Sequence, residues 1–303
     1  MNVFLYVLTQ NILPIMLVAS FGYLLRRRFN IHTTTLSTIV FYVLSPCLVF
    51  SSLATSELPG NEIIELVGFT VITIIIIGGL AFGLTRLLRL GRVETATFLI
   101  VTMFVNGGNY GLTFLQLRYG DGGLSRGIVY YVTSTVMVYT IGVLIASMGH
   151  ISGREAVKRL ARLPAVYAAV LAILVYSLDI NVPTPIMSGI AIAGAGAIPV
   201  MLLILGMEIA GMKAEDSTQL VMPAVGLRLV GGPLVGLGVA LMLGLQGAGR
   251  SAMIIEAAMP TAVINLILAA EFGLPTSTVA RIVVLSTLAS PLTIAAAVTI
   301  LGL

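Results

Sequence analysis

Charge is scarce in this chain. Asp, Glu, Lys and Arg together make up 9% of its 303 residues, where a soluble domain carries about a quarter. A water-soluble fold built from it would lack a polar surface, which excludes the soluble classes. Cysteine is nearly absent too: Cys47 stands alone, so an internal disulfide and a cysteine-based zinc cluster are both excluded. The two histidines, His32 and His150, fall in or near polar connections, where a lone histidine is usually just solvated. No nucleotide-binding glycine loop, HExxH or GxSxG is present, so no catalytic residue, resident cofactor or metal is expected. A leader with a small-residue cleavage site is missing, and the first apolar run is expected to be a membrane span.

What is abundant is apolar. Hydrophobic residues make up 58% and the mean hydropathy is +1.09, the composition of an all-α polytopic membrane protein whose medium is the lipid bilayer. Ten apolar runs have about the 20 residues needed to cross a bilayer. They lie near 4–25, 35–54, 64–85, 95–117, 127–148, 164–181, 186–208, 221–246, 251–271 and 278–301. Basic residues set the orientation. Arg26, Arg27, Arg28, Arg86, Arg89, Arg92, Arg154, Lys158, Arg159, Arg162 and Lys213 fall on one side, against Arg118, Arg126 and Arg250 on the other. The first set is expected in the cytoplasm, with both termini outside. The net charge of +4 reports this asymmetry and implies no nucleic-acid partner. The basic connection 153–163 reads equally as an amphipathic segment on the inner surface or as a solvated loop.

Two places interrupt the apolar pattern. FVNGGNYGLTF, Phe104 to Phe114, puts Asn106, Gly107, Gly108, Asn109, Gly111 and Thr113 inside the fourth run, and MPTAVIN, Met259 to Asn265, interrupts the ninth. A backbone that leaves the helix at membrane depth must find other partners, so it survives beside protein or a watery cavity. Paired breaks of this kind mark the binding site of a transporter. Pro46 and Pro199 are 153 positions apart, and Asn106 and Pro260 are 154 apart, a near-constant offset that suggests a duplicated unit. The expected organisation is a first five-helix repeat over 1–150, a short basic linker over 151–163 and a second, inverted repeat over 164–303, with broken helices 4 and 9 meeting near the midplane.

Each helix restart presents unpaired N–H groups and partial positive charge, so two facing restarts suit a carboxylate without a buried arginine. Asn106 and Asn109 are candidate donors, Gly108 and Gly111 allow close approach, and Thr113, Pro260, Thr261 and Asn265 complete the candidate substrate site. Pro46, with Ser45 and Ser51, is expected to bend the second span beside the crossing, a serine helping to satisfy the carbonyl that proline frees. Glu256, four residues before Pro260, shares a face with the break. Two readings stand for it: coupling to Na+ or H+, or pairing with Arg250 near the outer boundary. Arg228 is read as snorkelling to the inner surface, because the eighth run is long enough for its frame to slide. Gly194 and Gly232 are read as helix-packing residues. Tyr130, Tyr131 and Tyr139 are either an aromatic wall or packing and interface anchors.

In order and spacing, YLLRRRFNI, VFYVLSPCLVF, FVNGGNYGLTF, IPVMLLILGMEIAG and AAMPTAVINLILAAEFG together resemble the landmarks of the auxin efflux carrier family, which includes the plant PIN carriers and many short bacterial permeases. The resemblance covers nearly the whole chain and, with its short central loop, points to the prokaryotic branch and the inner membrane. It implies ten helices in two inverted repeats, divided into a scaffold part and a transport part. It also implies an organic anion held where helices 4 and 9 cross. The family often carries proline after the asparagine-rich stretch. This chain has Thr113 there, so its break rests on glycines.

The function expected is a secondary transporter of a small organic acid, auxin-like or malonate/malate-like, working by elevator-type alternating access. A sodium-coupled symporter of the bile-acid type, whose fold is shared, and an ion channel stand as alternatives. An intramembrane protease is remote, since Asp121 has no second membrane aspartate to share a proton with. Small-residue faces allow a homodimer without demanding one.

Overall fold

The computed structural model describes residues 2–29, 31–56, 58–147, 163–211 and 219–303. The basic connection 153–162, His150 and Lys213 lie outside the described residues. Within them the chain is helical, and the only extended pairing is one isolated bridge between Val105 and Thr261.

Among the described residues seven helices are long and apolar enough to cross a membrane: α1 (Val3–Phe29), α2 (Thr33–Ala54), α3 (Gly60–Leu87), α5 (Gly107–Ala146), α7 (Thr184–Gly211), α8 (Val221–Met242) and α11 (Thr276–Leu301). Shorter elements complete the set: α4 (Arg92–Met103), α6 (Pro164–Ser177), α9 (Gly247–Ala258) and α10 (Ile264–Glu271). Seven continuous spans are fewer than the ten apolar runs, for local reasons. The ninth run is divided by a break, and in the sixth only the 14 residues of Pro164–Ser177 are helical. The fourth run is also divided by a break, and its second half runs into the fifth as a single helix. That helix bends at Gly120, whose φ of 62° is open to glycine at little cost.

Proline shapes the long helices. The five- or six-residue π turns Val7–Ile12, Val40–Leu44 and Leu227–Gly231 each lie just before a proline: Pro14, Pro46 and Pro233. A proline ring clashes with the carbonyl four residues back and offers it no N–H, and a widened turn absorbs both faults. Pro291, inside α11, is handled differently: the Ser290 hydroxyl donates to the Thr287 carbonyl (2.8 Å) that the proline leaves free. Ser45 beside Pro46 instead shares a hydrogen bond with the Tyr131 hydroxyl (3.2 Å), and Ser51 donates to the Leu48 carbonyl (3.3 Å).

Two groups of helices result. In the first, α1, α2, α6 and α7 pack on one another through small residues. Gly22 lies against the Leu203 backbone, Gly206 against the Ala19 backbone and Gly194 against the Leu48 backbone, approaches that any Cβ would block. In the second, α3, α4, α5, α8, α9, α10 and α11 surround the two breaks. The charged pairs sit near helix ends, Arg126–Glu62 (2.6 Å) by the start of α3 and Arg26–Glu208 (3.8 Å) by the ends of α1 and α7.

Candidate functional site

The two breaks satisfy one another. α4 stops at Met103 and α9 at Ala258, and each chain continues extended: Phe104 has ψ 123° and Met259 has ψ 149°. The extended segments run antiparallel. The Asn106 N–H donates to the Pro260 carbonyl (2.8 Å), and the Ala262 N–H donates to the Phe104 carbonyl (3.0 Å). Side chains tighten the crossing. The Thr261 hydroxyl donates to the Val101 carbonyl (2.9 Å), the Asn265 amide to the Phe104 carbonyl (3.2 Å), and Ser286 Oγ accepts from the Thr261 N–H (3.2 Å). Backbone groups that lipid could not solvate are thereby paired.

Both helices restart beside one cavity of about 580 Å³. Asn106, Gly107, Gly108 and Asn109 line it at the start of α5, and Ala262, Val263 and Ile264 at the start of α10. The amide nitrogen of Asn106 is buried without a hydrogen-bond partner. The opposite wall comes from α2: the hydroxyls of Thr33, Thr34, Ser37 and Thr38, then the rings of Phe41 and Tyr42. Phe41 meets Tyr139 at 6.4 Å between centroids, and Tyr131 and Tyr139 also face the space. Tyr130 does not, being buried against Phe69. Among the described residues Glu208 is the single charged one that lines the cavity, and none of the lining residues is basic. Positive potential there comes from helix restarts and amide donors.

The sequence candidates thus separate. Asn106, Gly108 and Asn109 line the cavity. Pro260, Thr261 and Asn265 are buried in the crossing itself. Thr113 is buried one turn along and donates to the Asn109 carbonyl (3.3 Å). Gly111 faces Glu256 rather than the cavity, and Pro46 lines a separate recess with Cys47, Phe50 and Tyr167.

Two buried charges flank the crossing. Glu256 is 0% exposed and neither carboxylate oxygen has a hydrogen-bond partner. It occupies a space cleared by three glycines: a Cβ on Gly107, Gly111 or Gly127 would collide with or crowd its carboxylate. Arg250 does not pair with it, so the boundary ion pair is not formed. Arg228 is 1% exposed, which overturns the expected snorkelling. It lies in the π turn Leu227–Gly231, and its guanidinium donates to the Thr102 carbonyl (2.6 Å) and to the Ala257 carbonyl. Gly232, expected to serve helix packing, lies against that guanidinium and the Ala257 carbonyl and leaves them room.

The membrane transport protein family matches the chain over residues 7–155 and 147–298. The chain belongs to this family. It is the auxin efflux carrier-like group that the sequence motifs resemble, and the protein is a transporter. Similar transporters lie in two archaea: one named "Uncharacterized transporter" in Methanothermobacter thermautotrophicus is 27% identical over 93% of this chain and 94% of its own length. Another, in Methanocaldococcus jannaschii, is 20% identical over 87% of this chain and 88% of its own.

Three features of the cavity and the crossing escape the motif reading: the hydroxyl ladder Thr33–Thr38, Glu208 and buried Arg228. The ladder had a signal, four hydroxyl residues of helical spacing ahead of an apolar run. Arg228 had one as well, a lone charge five residues before a membrane proline, Pro233.

Proposed function

We propose that the protein is a secondary carrier that moves a small organic anion across the inner membrane by alternating access. The observation that carries this reading is the convergence of two helix restarts on one cavity lined, among the described residues, by no basic side chain. A carboxylate placed there meets backbone N–H groups, Asn106 and Asn109. Its remaining body meets Phe41, Tyr42 and Tyr139. Glu208, with Arg26 3.8 Å from it, is the charged group of the described lining and the rest is uncharged, so a monoanion with an apolar body is favoured over a dicarboxylate, whose second carboxylate finds no free cation there.

In this reading the membrane is crossed ten times, the bent α5 counting for the second half of the fourth span and the fifth. The two halves, 1–150 and 164–303, are inverted repeats, with α4–α5 and α9–α10 as equivalent broken spans and both termini outside. The helices around the breaks move as one body against α1, α2, α6 and α7, an elevator stroke that exposes the cavity to each side in turn. Glu256 is the coupling group. A fully buried carboxylate with no donor is costly as a free charge, and a proton removes that cost.

Counterflow in proteoliposomes tests the carrier. Vesicles loaded with an unlabelled aromatic or alkyl monocarboxylate should transiently concentrate the labelled compound, with saturating rates. A non-saturating flux that follows the membrane potential would mark a channel instead. With Glu256→Gln, exchange should persist while uptake driven by a pH gradient falls at least tenfold.

A further inference from the structure

The fork of Arg228 ends on two carbonyls that share one property. Thr102 is the penultimate residue of α4 and Ala257 the penultimate residue of α9. Both therefore belong to the last turn of a half-helix, where carbonyls have no intrahelical partner and the dipole presents about half a negative charge. Two such ends converging sum to roughly one negative charge, which a single guanidinium neutralises. Carriers with broken helices coordinate their coupling cation with these same elements, unwound carbonyls and half-helix C-terminal ends.

We propose that Arg228 is the resident cation of the crossing, standing where an alkali cation would otherwise gather the two helix ends. It is a positioning residue: it does not line the cavity, and it acts by holding α4 and α9 so that the restarts of α5 and α10 face the same space. Three features agree with a built site. The guanidinium is buried, its two terminal nitrogens are both used, and Gly232 supplies the space it fills. The π turn before Pro233 aims the side chain inward, toward the breaks and away from the membrane surface. The consequence for the proposed carrier is that its binding-competent crossing needs no sodium, which leaves the proton at Glu256 as the coupling ion. Only that consequence rests on the carrier reading.

The test uses thermal unfolding of the purified, detergent-solubilised full-length protein, without substrate, so it can fail while the carrier reading stands. Wild type, Arg228→Lys and Arg228→Gln are melted in choline chloride and in sodium chloride of equal ionic strength. Wild type should melt at the same temperature in both salts. Arg228→Lys, which keeps the charge, should stay closer to wild type than Arg228→Gln, which keeps only a hydrogen-bond donor. Arg228→Gln should melt lower and gain a sodium-dependent rise of about 3 °C that wild type lacks. Recovery of folded Arg228→Lys alone, with Arg228→Gln lost, supports the same conclusion. The proposal is overturned if wild type is itself raised by sodium, if Arg228→Gln is folded yet indifferent to sodium, or if neither variant folds. In the last case the shape of the fork, and not its charge, holds the helix ends.

Discussion

The Asn106 N–H and the Pro260 carbonyl are 2.8 Å apart, a hydrogen bond between residues 154 positions distant in the chain. Through it, each break becomes the hydrogen-bond partner of the other. A single broken helix in this apolar chain would need water at membrane depth. Two broken helices in register supply each other, and only their restarts are left open toward the cavity.

Asn109 lines that cavity at a restart, and its side chain is not used in the crossing. Asn109→Ala should therefore fold normally and lose substrate affinity by about tenfold or more, the effect of one hydrogen bond to a charged group. Ligand titration followed by melting temperature checks both halves of the statement.

Thr261 is committed to the crossing, since its hydroxyl donates to the Val101 carbonyl at 2.9 Å. Thr261→Val keeps the shape and removes the donor. It should destabilise the protein by about 1 kcal/mol, the scale of interhelical hydrogen bonds in membranes, lowering the melting temperature by a few degrees. Substrate affinity, measured on the folded fraction, should change less than in Asn109→Ala.

A double-mutant cycle tests the glycine pocket around Glu256. Gly111→Ala pushes a methyl into the carboxylate and should cost about 1–3 kcal/mol, as overpacking does. Adding Glu256→Ala empties the space and should recover much of that loss. Gly238→Ala, where a Cβ meets nothing within 4 Å, is the control and should be neutral or mildly stabilising. Equal losses at Gly111 and Gly238 would mean that the glycines are needed only for their backbone.

How much of this was visible in the sequence depends on the kind of signal each residue leaves. The breaks were legible because Gly107, Gly108, Gly111 and Pro260 are written into runs that otherwise read as leucine, valine and isoleucine. Asn106 and Asn109 came with them. Whether a polar side chain at a break faces the cavity or the neighbouring backbone was not legible. That depends on the rotation of a short extended segment, which has no periodicity to read; Thr261 turned inward for this reason, and Asn265, in the first turn of α10, is set by where that segment starts the helix. Arg228 was misplaced because its apolar run is longer than a crossing requires, so hydropathy fixes no depth, and a π turn then redirects the side chain. The hydroxyl wall of Thr33–Thr38 precedes the apolar part of α2, where hydropathy marks no membrane depth. Seven continuous spans stood in for ten runs because a run of apolar residues does not say whether its helix is whole.

Alteration of the aromatic lining, Phe41 on α2 and Tyr139 on α5, should change which substrates are taken, without ending transport. Phe41→Ala and Tyr139→Ala each remove a ring that faces the cavity and meets the other at 6.4 Å. Affinity for an aromatic monocarboxylate should fall by up to about tenfold in either, because contact with one ring contributes about 0.5–1.5 kcal/mol. A short aliphatic acid such as acetate or propionate should be little affected. Competition between the two classes of acid in counterflow would measure the shift.

The most direct test of the anion site is a melting-temperature screen of wild type and Asn109→Ala against small mono- and dicarboxylates. A monocarboxylate with an apolar body should raise wild type by about 5 °C at roughly 100 times its Kd and leave Asn109→Ala nearly unmoved, with dicarboxylates weaker. If no carboxylate shifts wild type, or if Asn109→Ala responds as wild type does, the restarts do not hold an organic anion.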